Sequence, residues 1–521
     1  MNANNSVVIV RLARIALEDN KRFSPHHPHS PPMKPASVIH LSSRVLLVFL
    51  LLSLSANPAQ AQNEANSWIF GNKAWLKFPI GGGSPVSLSG ALMDAGEGSS
   101  AMSDQTGNLL FSTDGRTVWN KNNVQMPIGP NLHGASSSTQ SALIVPWPNS
   151  GCKKYFVFTA KDAQPNQPQQ LEYSIVDINA PTGGGLGDVT TLNTLLKTGV
   201  AEKLAAVKDA TGTGFWVVAH GFRQTTVAQP NPPENKEFYA YHVTNTSNGT
   251  NLVGTEVMSA VGSAHQRVSG DHTQSIGQMK ISPNGKLITC AVLGGFVEIL
   301  DFDTNTGLVT GPAKTFDSAN GIFGSNPPGG GFYGVEFSPD SQQLYVSTMT
   351  FWGPVNKLYQ ISFLGPPVAT LLATGAPSPP NIDIGQLQLG PDNKIYVARD
   401  PKSFISVINF PNIPGPSCNF QSNGPALSSG NCRYGLPAVI AGNFSCAPTP
   451  TPTQTPTPTP SPTVTPAPTP LQTPTSTTTP AGSPTGTCNP CCPPWSSVIW
   501  AVVVVFSLLL FKAPITRFLG R

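Results

Sequence analysis

The turn Ser282-Pro283-Asn284-Gly285, with the residues flanking it, constrains this chain more than any other feature. Proline presets φ at the second position of a turn, and Asn and Gly tolerate the positive φ that a tight hairpin needs. Apolar residues alternate on both sides, Met279 and Ile281 before the turn and 287–292 after it, which is the two-residue period of a buried strand. A third apolar run follows at 296–302. The same unit returns around Ser338-Pro339-Asp340, running into Leu344-Tyr345-Val346, and around Gly390-Pro391-Asp392, running into Ile395-Tyr396-Val397. One such sheet cannot bury its own faces, and copies about 50 residues apart have the blade length of a radial array of sheets. The expected fold is therefore all-β, a β-propeller.

Weaker copies precede these, giving six units that start near Ser100, Ser141, Leu204, Ile276, Tyr333 and Ile384. Strands near Trp68 and a late apolar segment, 436–440 with Phe444, are left over. Together they would make a closing blade from both ends of the chain and remove the open edges of the ring. The count is then seven blades, with six or eight left open because boundaries read this way are soft.

The Ser-Pro-Asn-Gly, Ser-Pro-Asp and Gly-Pro-Asp turns, each followed by an apolar strand, resemble the repeats of bacterial secreted WD40-like and YVTN-type β-propellers. The resemblance covers most of 68–444, most strongly the last three units. It lacks the Gly-His and Trp-Asp signature of true WD40 repeats. What it implies is a fold and a secreted setting, not an activity.

Composition separates the remaining parts. The formal net charge of +4 is carried by the two ends, and 62–487 is net negative by three, which is no electrostatic footprint for nucleic acid. Residues 1–61 form an extension and a leader. From Met33 there is a positive stretch with Lys34 and Arg44, an apolar core at 45–54, and an Ala59-Gln60-Ala61 cleavage site, so Met33 competes with Met1 as the true start. Export would leave a propeller domain at 62–446. A Pro/Thr-rich linker at 447–487 favours extended polyproline II at about 3.1 Å per residue, a stalk with a reach on the order of 100 Å. The tail, 488–521, holds Cys488, Cys491 and Cys492, an apolar run at 498–511 and a basic end. It reads either as a permanent membrane helix or as a sorting signal, with the cysteines a processing or lipid-attachment point.

Candidate chemistry is sparse. Asp301, Asp303, Asn305 and Gly307 have the spacing that opens a calcium loop, but Pro312 stands where the bidentate glutamate belongs, and a hairpin turn explains the same residues. His265, Asp271 and His272 share a polar loop that would suit a metal or polar ligand, though a solvated loop accounts for them too. His220 ends a strand and would either face the channel or hold a structural hydrogen bond. In an exported protein Cys418 and Cys432 would pair as a disulfide bracketing a Gly/Ser/Asn loop; two free thiols are the alternative. Cys290 reads as plain core. No nucleophile elbow or phosphate-binding loop is present, so no catalytic residue and no cofactor beyond possible calcium is assigned.

These features point to a cell-surface or envelope-anchored binding module for a glycan, peptide or protein, with a membrane contact through its tail. The loops 164–170, 224–236, 259–275 and 414–432 are the places to look for contacts. A propeller enzyme of the lactonase or hydrolase sort, with a metal in the channel, is the alternative. A structural envelope protein is the third reading.

Overall fold

The computed structural model describes residues 63–163, 169–222, 235–244, 253–265, 273–293, 295–317, 321–323, 331–349, 355–375, 383–442 and 444. The leader, the Pro/Thr segment and the tail with Cys488, Cys491 and Cys492 lie outside the described residues, as do Asp271 and His272.

Among the described residues the strands form seven antiparallel sheets, each built from one continuous piece of chain. The structure is a seven-bladed β-propeller. The inner strands of blades 1 to 7 are Ser67–Phe70, Ser100–Ser103, Ala142–Pro146, Val200–Lys208, Met279–Ile281, Gly331–Phe337 and Ile384–Leu389. Blades 3 to 7 have four strands, and blades 1 and 2 have three. Outer strands such as Val368–Thr374 are half-buried with exposed ends, whereas inner ones such as Ile384–Leu389 are almost wholly buried, so the core lies between blades and toward the axis.

Two of the three repeated turns work through a serine. Ser282 Oγ donates to Asn284 Oδ1 at 2.7 Å and accepts the Leu287 amide at 2.9 Å, while Gly285 takes φ of 72°. Ser338 does the same with Asp340 at 2.6 Å and the Gln343 amide at 2.9 Å. A small hydroxyl thus closes each of these two hairpins internally, which fixes the register of both strands.

The ring closes differently from the sequence expectation. Asn72 and Asn431 exchange both backbone hydrogen bonds at 2.9 Å, so the two ends of the propeller do meet. Segment 436–440, however, adds no strand to blade 1. It turns into the ring, where the amides of Leu436, Ala438 and Ala441 bond to Gln386 Oε1, Ser99 O and Ala206 O. Pro437 has no amide to give a ladder, which suits this irregular path. Blade 1 instead packs on blade 7 through Trp68, Phe78 and Tyr396, whose rings meet edge to face at 4.8, 5.5 and 5.4 Å.

The expected disulfide is not formed: Cys418 and Cys432 are both free, buried thiols. They serve two different interfaces of blade 7. Cys418 packs with Tyr345 and Leu358 against blade 6, and Cys432 packs with Trp68 and Phe70 against blade 1. Residues 414–432 are also not a free loop, since Phe420–Gln421 is the outer strand of blade 7, paired with Ser406–Ile408.

Because Trp68 is the largest buried side chain joining the first blade to the last, Trp68→Ala should destabilise the propeller by about 3–5 kcal/mol. Denaturant unfolding followed by intrinsic fluorescence would check this, and a loss near zero would show that Asn72 and Asn431 suffice to close the ring.

Candidate functional site

The inner strands would present unpaired backbone groups to the axis, and three glutamines take these up. Gln140 Oε1 accepts the amides of Met279 at 2.8 Å and Leu204 at 3.2 Å, and its Nε2 donates to the carbonyls of Leu204 at 2.8 Å and Met279 at 3.2 Å. One side chain therefore ties blade 3 to blades 4 and 5. Gln278 Oε1 likewise accepts the amides of Val335 at 3.1 Å and Leu387 at 3.0 Å, joining blades 5, 6 and 7. Gln386 accepts from Gln278 Nε2 at 3.3 Å and donates to Thr139 O, which returns the chain of contacts to blade 3.

This layer separates two ends of the axis. Residues preceding it on the inner strands form an acidic end. Glu202 accepts the Thr139 amide at 2.9 Å, the Thr139 hydroxyl at 3.0 Å and the Ala163 amide at 2.9 Å, and Glu97 accepts the Tyr333 hydroxyl at 2.7 Å. Burial and the neighbouring Glu202 push Glu97 up to about 8, against the hydrogen bonds from Tyr333 and Thr139. Burial raises Glu202 as well. Two carboxyls so close share one proton more readily than they carry two charges.

Residues following the glutamine layer line a cavity of about 770 Å³. Lys280 Nζ sits in it, 3.0 Å from Glu336 Oε2 and bonded to Gln388 Oε1. The three repeat turns contribute Pro283, Pro339 and Pro391, and the inward C-terminal segment contributes 438–442. A strap at 409–413 completes the lining. It is fastened to blade 6 by Tyr345 Oη to Pro411 O at 2.8 Å and Gln360 Nε2 to Ile413 O at 2.9 Å.

The sequence candidates fare unevenly. Asp301 is exposed at the end of its strand, and Asp303 spends its carboxylate on its own turn, accepting from Asn305 N, Asn305 Nδ2 and Thr306 Oγ1 at 2.8–2.9 Å. Those hydrogen bonds hold the Asp303 carboxyl below its ordinary range. The calcium-like spacing folds here as an Asx turn in which Asp303 accepts hydrogen bonds from the turn itself.

His265 is not a solvated loop histidine but is fully buried, stacked on His220 with ring centroids 3.7 Å apart. Its Nε2 lies 3.7 Å from Oε1 of Glu298, which is also fully buried. His220 keeps the structural hydrogen bond expected of it, Nδ1 donating to Gly221 O at 2.7 Å. Burial holds both imidazoles well below their ordinary pKa and raises Glu298. His220 Nε2, both nitrogens of His265 and Glu298 Oε1 have no hydrogen-bond partner, and each such buried group costs about 1–3 kcal/mol. Sequence reading missed Glu298, yet a signal was present: it stands in phase with Phe296, Leu300 and Phe302 on a strand face that is otherwise apolar.

No known protein family matches the sequence, and no curated protein matches it. Solved structures do match. Hsv2 of Kluyveromyces lactis is similar at 10% identity with a TM-score of 0.34, over 66% of this chain and 90% of that one. A luciferin-regenerating enzyme matches at 14% identity and a TM-score of 0.33, over 67% and 95%. The periplasmic gluconolactonase PpgL of Pseudomonas aeruginosa matches at 13% and 0.33, over 64% and 95%.

Glu97 gives a pH prediction with a definite sign. Its folded pKa of about 8 lies above the ordinary 4.5, so the stability linked to its proton is fully present below pH 4.5 and is lost as pH rises through 8. Glu97→Gln keeps an acceptor for Tyr333 but cannot ionise. Thermal melts across that window should fall less steeply with pH in the variant than in the parent; parallel curves would mean the carboxyl does not titrate there.

Proposed function

We propose that this chain is a surface-displayed binding module, exported by its leader and held at the envelope by its tail, which takes a glycan in the cavity at one end of the propeller axis. The observation that carries the reading is the form of that cavity. It is a cup whose floor is the hydrogen-bonded Lys280, Glu336 and Gln388 set and whose wall is built from rigid hairpin turns. A volume of about 770 Å³ lies in the range of sites for small ligands. A sugar ring offers hydroxyls at its edge and C–H groups on its face, and amide side chains with an aromatic ring match both. Asn284, Asn393 and Asn412 line the cup, as does Phe410, whose side chain is 56% exposed. The strap holding Phe410 is pinned to blade 6, so little ordering remains to be done on binding.

The enzymatic alternative, a lactonase or hydrolase with a channel metal, has less support from this geometry. Glu336 accepts the amides of Phe337 and Leu389 and pairs with Lys280, which leaves it poorly placed to act as a base. The His220, His265 and Glu298 cluster does not line the cup.

Screening the full chain on immobilised oligosaccharides tests the reading. Phe410→Ala should weaken a bound glycan roughly tenfold or more, as truncation of an aromatic anchor does. Binding unchanged in that variant would move the site elsewhere, and retention of peptides but no glycan would change the ligand class.

A further inference from the structure

We infer that His220, His265 and Glu298 form a site for one zinc-class divalent cation, clamping blade 4 to blade 5. The three side chains come from separate pieces of chain. His220 is on the strand Phe215–Gly221, His265 follows the strand Val257–Ala260, and Glu298 is on the strand Phe296–Phe302. One ligand atom from each lies within 4.8 Å of the others, and all three residues are 0% exposed.

The hydrogen bonds prepare the ligands. His220 gives its Nδ1 proton to Gly221 O at 2.7 Å, which leaves Nε2 unprotonated, the usual arrangement behind a metal-bound imidazole. The His265 ring, stacked on His220 at 3.7 Å with both nitrogens free of hydrogen bonds, must turn out of that stack for its lone pair to meet the same ion. Glu298 Oε2 accepts the Ser263 amide at 2.9 Å, which turns Oε1 inward. The backbone of His265 is fixed by its amide bond to Asn235 O at 2.8 Å. Oε1 of Glu298, Nε2 of His220 and both ring nitrogens of His265 are left without partners. A direct His265–Glu298 hydrogen bond does not account for them, because 3.7 Å is too long.

Donor chemistry selects the ion. Two imidazoles and one carboxylate are a three-ligand zinc set with a fourth position for water, whereas calcium requires six to eight oxygens. Lys203 is close by but does not compete for the site, since its ammonium donates to the carbonyls of Ser275, Ile276 and Gly277 at 2.9–3.0 Å.

The test uses the full chain with Cys488, Cys491 and Cys492 changed to Ser, so that tail thiols cannot take up metal. After treatment with chelator, the protein is titrated with Zn²⁺ and, separately, with Co²⁺ followed by visible absorption. We expect one equivalent of zinc, a cobalt spectrum of tetrahedral type without thiolate charge transfer, and a higher Tm on zinc addition. Glu298→Gln, which preserves shape, should lose on the order of 10–100-fold in affinity, and His133→Ala, at an exposed histidine elsewhere, should lose none. No uptake by the folded, chelator-treated protein would overturn the site. So would parental affinity in both Glu298→Gln and His265→Gln. Should the variants fail to fold, the Tm response of the parent to zinc decides the matter.

Discussion

Seven strands arranged around an axis leave seven inner edges whose backbone groups have no neighbouring strand to pair with. Amide side chains are suited to this position because a glutamine carries the donors and acceptors of a peptide group on a flexible arm. Gln140 uses its carbonyl and its amino group on both Leu204 and Met279, and Gln278 uses its carbonyl on Val335 and Leu387. The blades are thus held by hydrogen bonds at the axis as well as by apolar packing between their faces. An apolar substitution at either position would leave several buried backbone groups unpaired at once, a larger loss than the contact it removes.

The same layer gives the molecule its polarity. On one side lie carboxyls that burial forces toward their protonated form, Glu97 and Glu202; on the other is a cup in which Lys280 is matched by Glu336. The inward run of 434–442 reinforces the partition, with Tyr434 bonded to Gly96 near the acidic end and Ala441 bonded to Ala206 at the cup. A chain end that spends its amides on the inner edges of several blades works as a plug. It also explains why blade 7 closes on blade 1 through aromatic rings and the Asn72–Asn431 pair and not through a shared strand.

The interface between blades 4 and 5 combines two kinds of chemistry. Toward the cup it is apolar, with Trp216, Val218, Met279, Leu300 and Phe302 packed together. Along the same strand faces the side chains become His220 and Glu298, and a loop brings His265 between them. Buried imidazole and carboxyl groups at an interface weaken it when left unpaired and strengthen it when joined through an ion. The thiols Cys418 and Cys432 are buried among apolar side chains on the two faces of blade 7, and the Cys432 sulfur also accepts the Arg399 amide and donates to Arg433 O, both at 3.2 Å.

Local chemistry determined much of this from sequence alone. The Ser-Pro-Asn-Gly and Ser-Pro-Asp turns and the alternation after them specify hairpins, and repetition specifies a ring of sheets with a count of seven that left six or eight open, because turn geometry and side-chain period depend only on neighbouring residues. The run at Asp301 to Gly307 reads two ways for the same reason: a hairpin turn and an ion loop ask for the same local residues. Tertiary structure alone decided which polar residues meet. A repeated Ile-Gly-Gln at 276–278 and 384–386 marks two of the axial glutamines as equivalent but not what they bond to, and His220, His265 and Glu298 converge only because a radial arrangement brings adjacent blade faces together. The separate destinations of Cys418 and Cys432 and the inward path of 436–440 were settled in the same way, by which faces remained to be covered once the ring had closed.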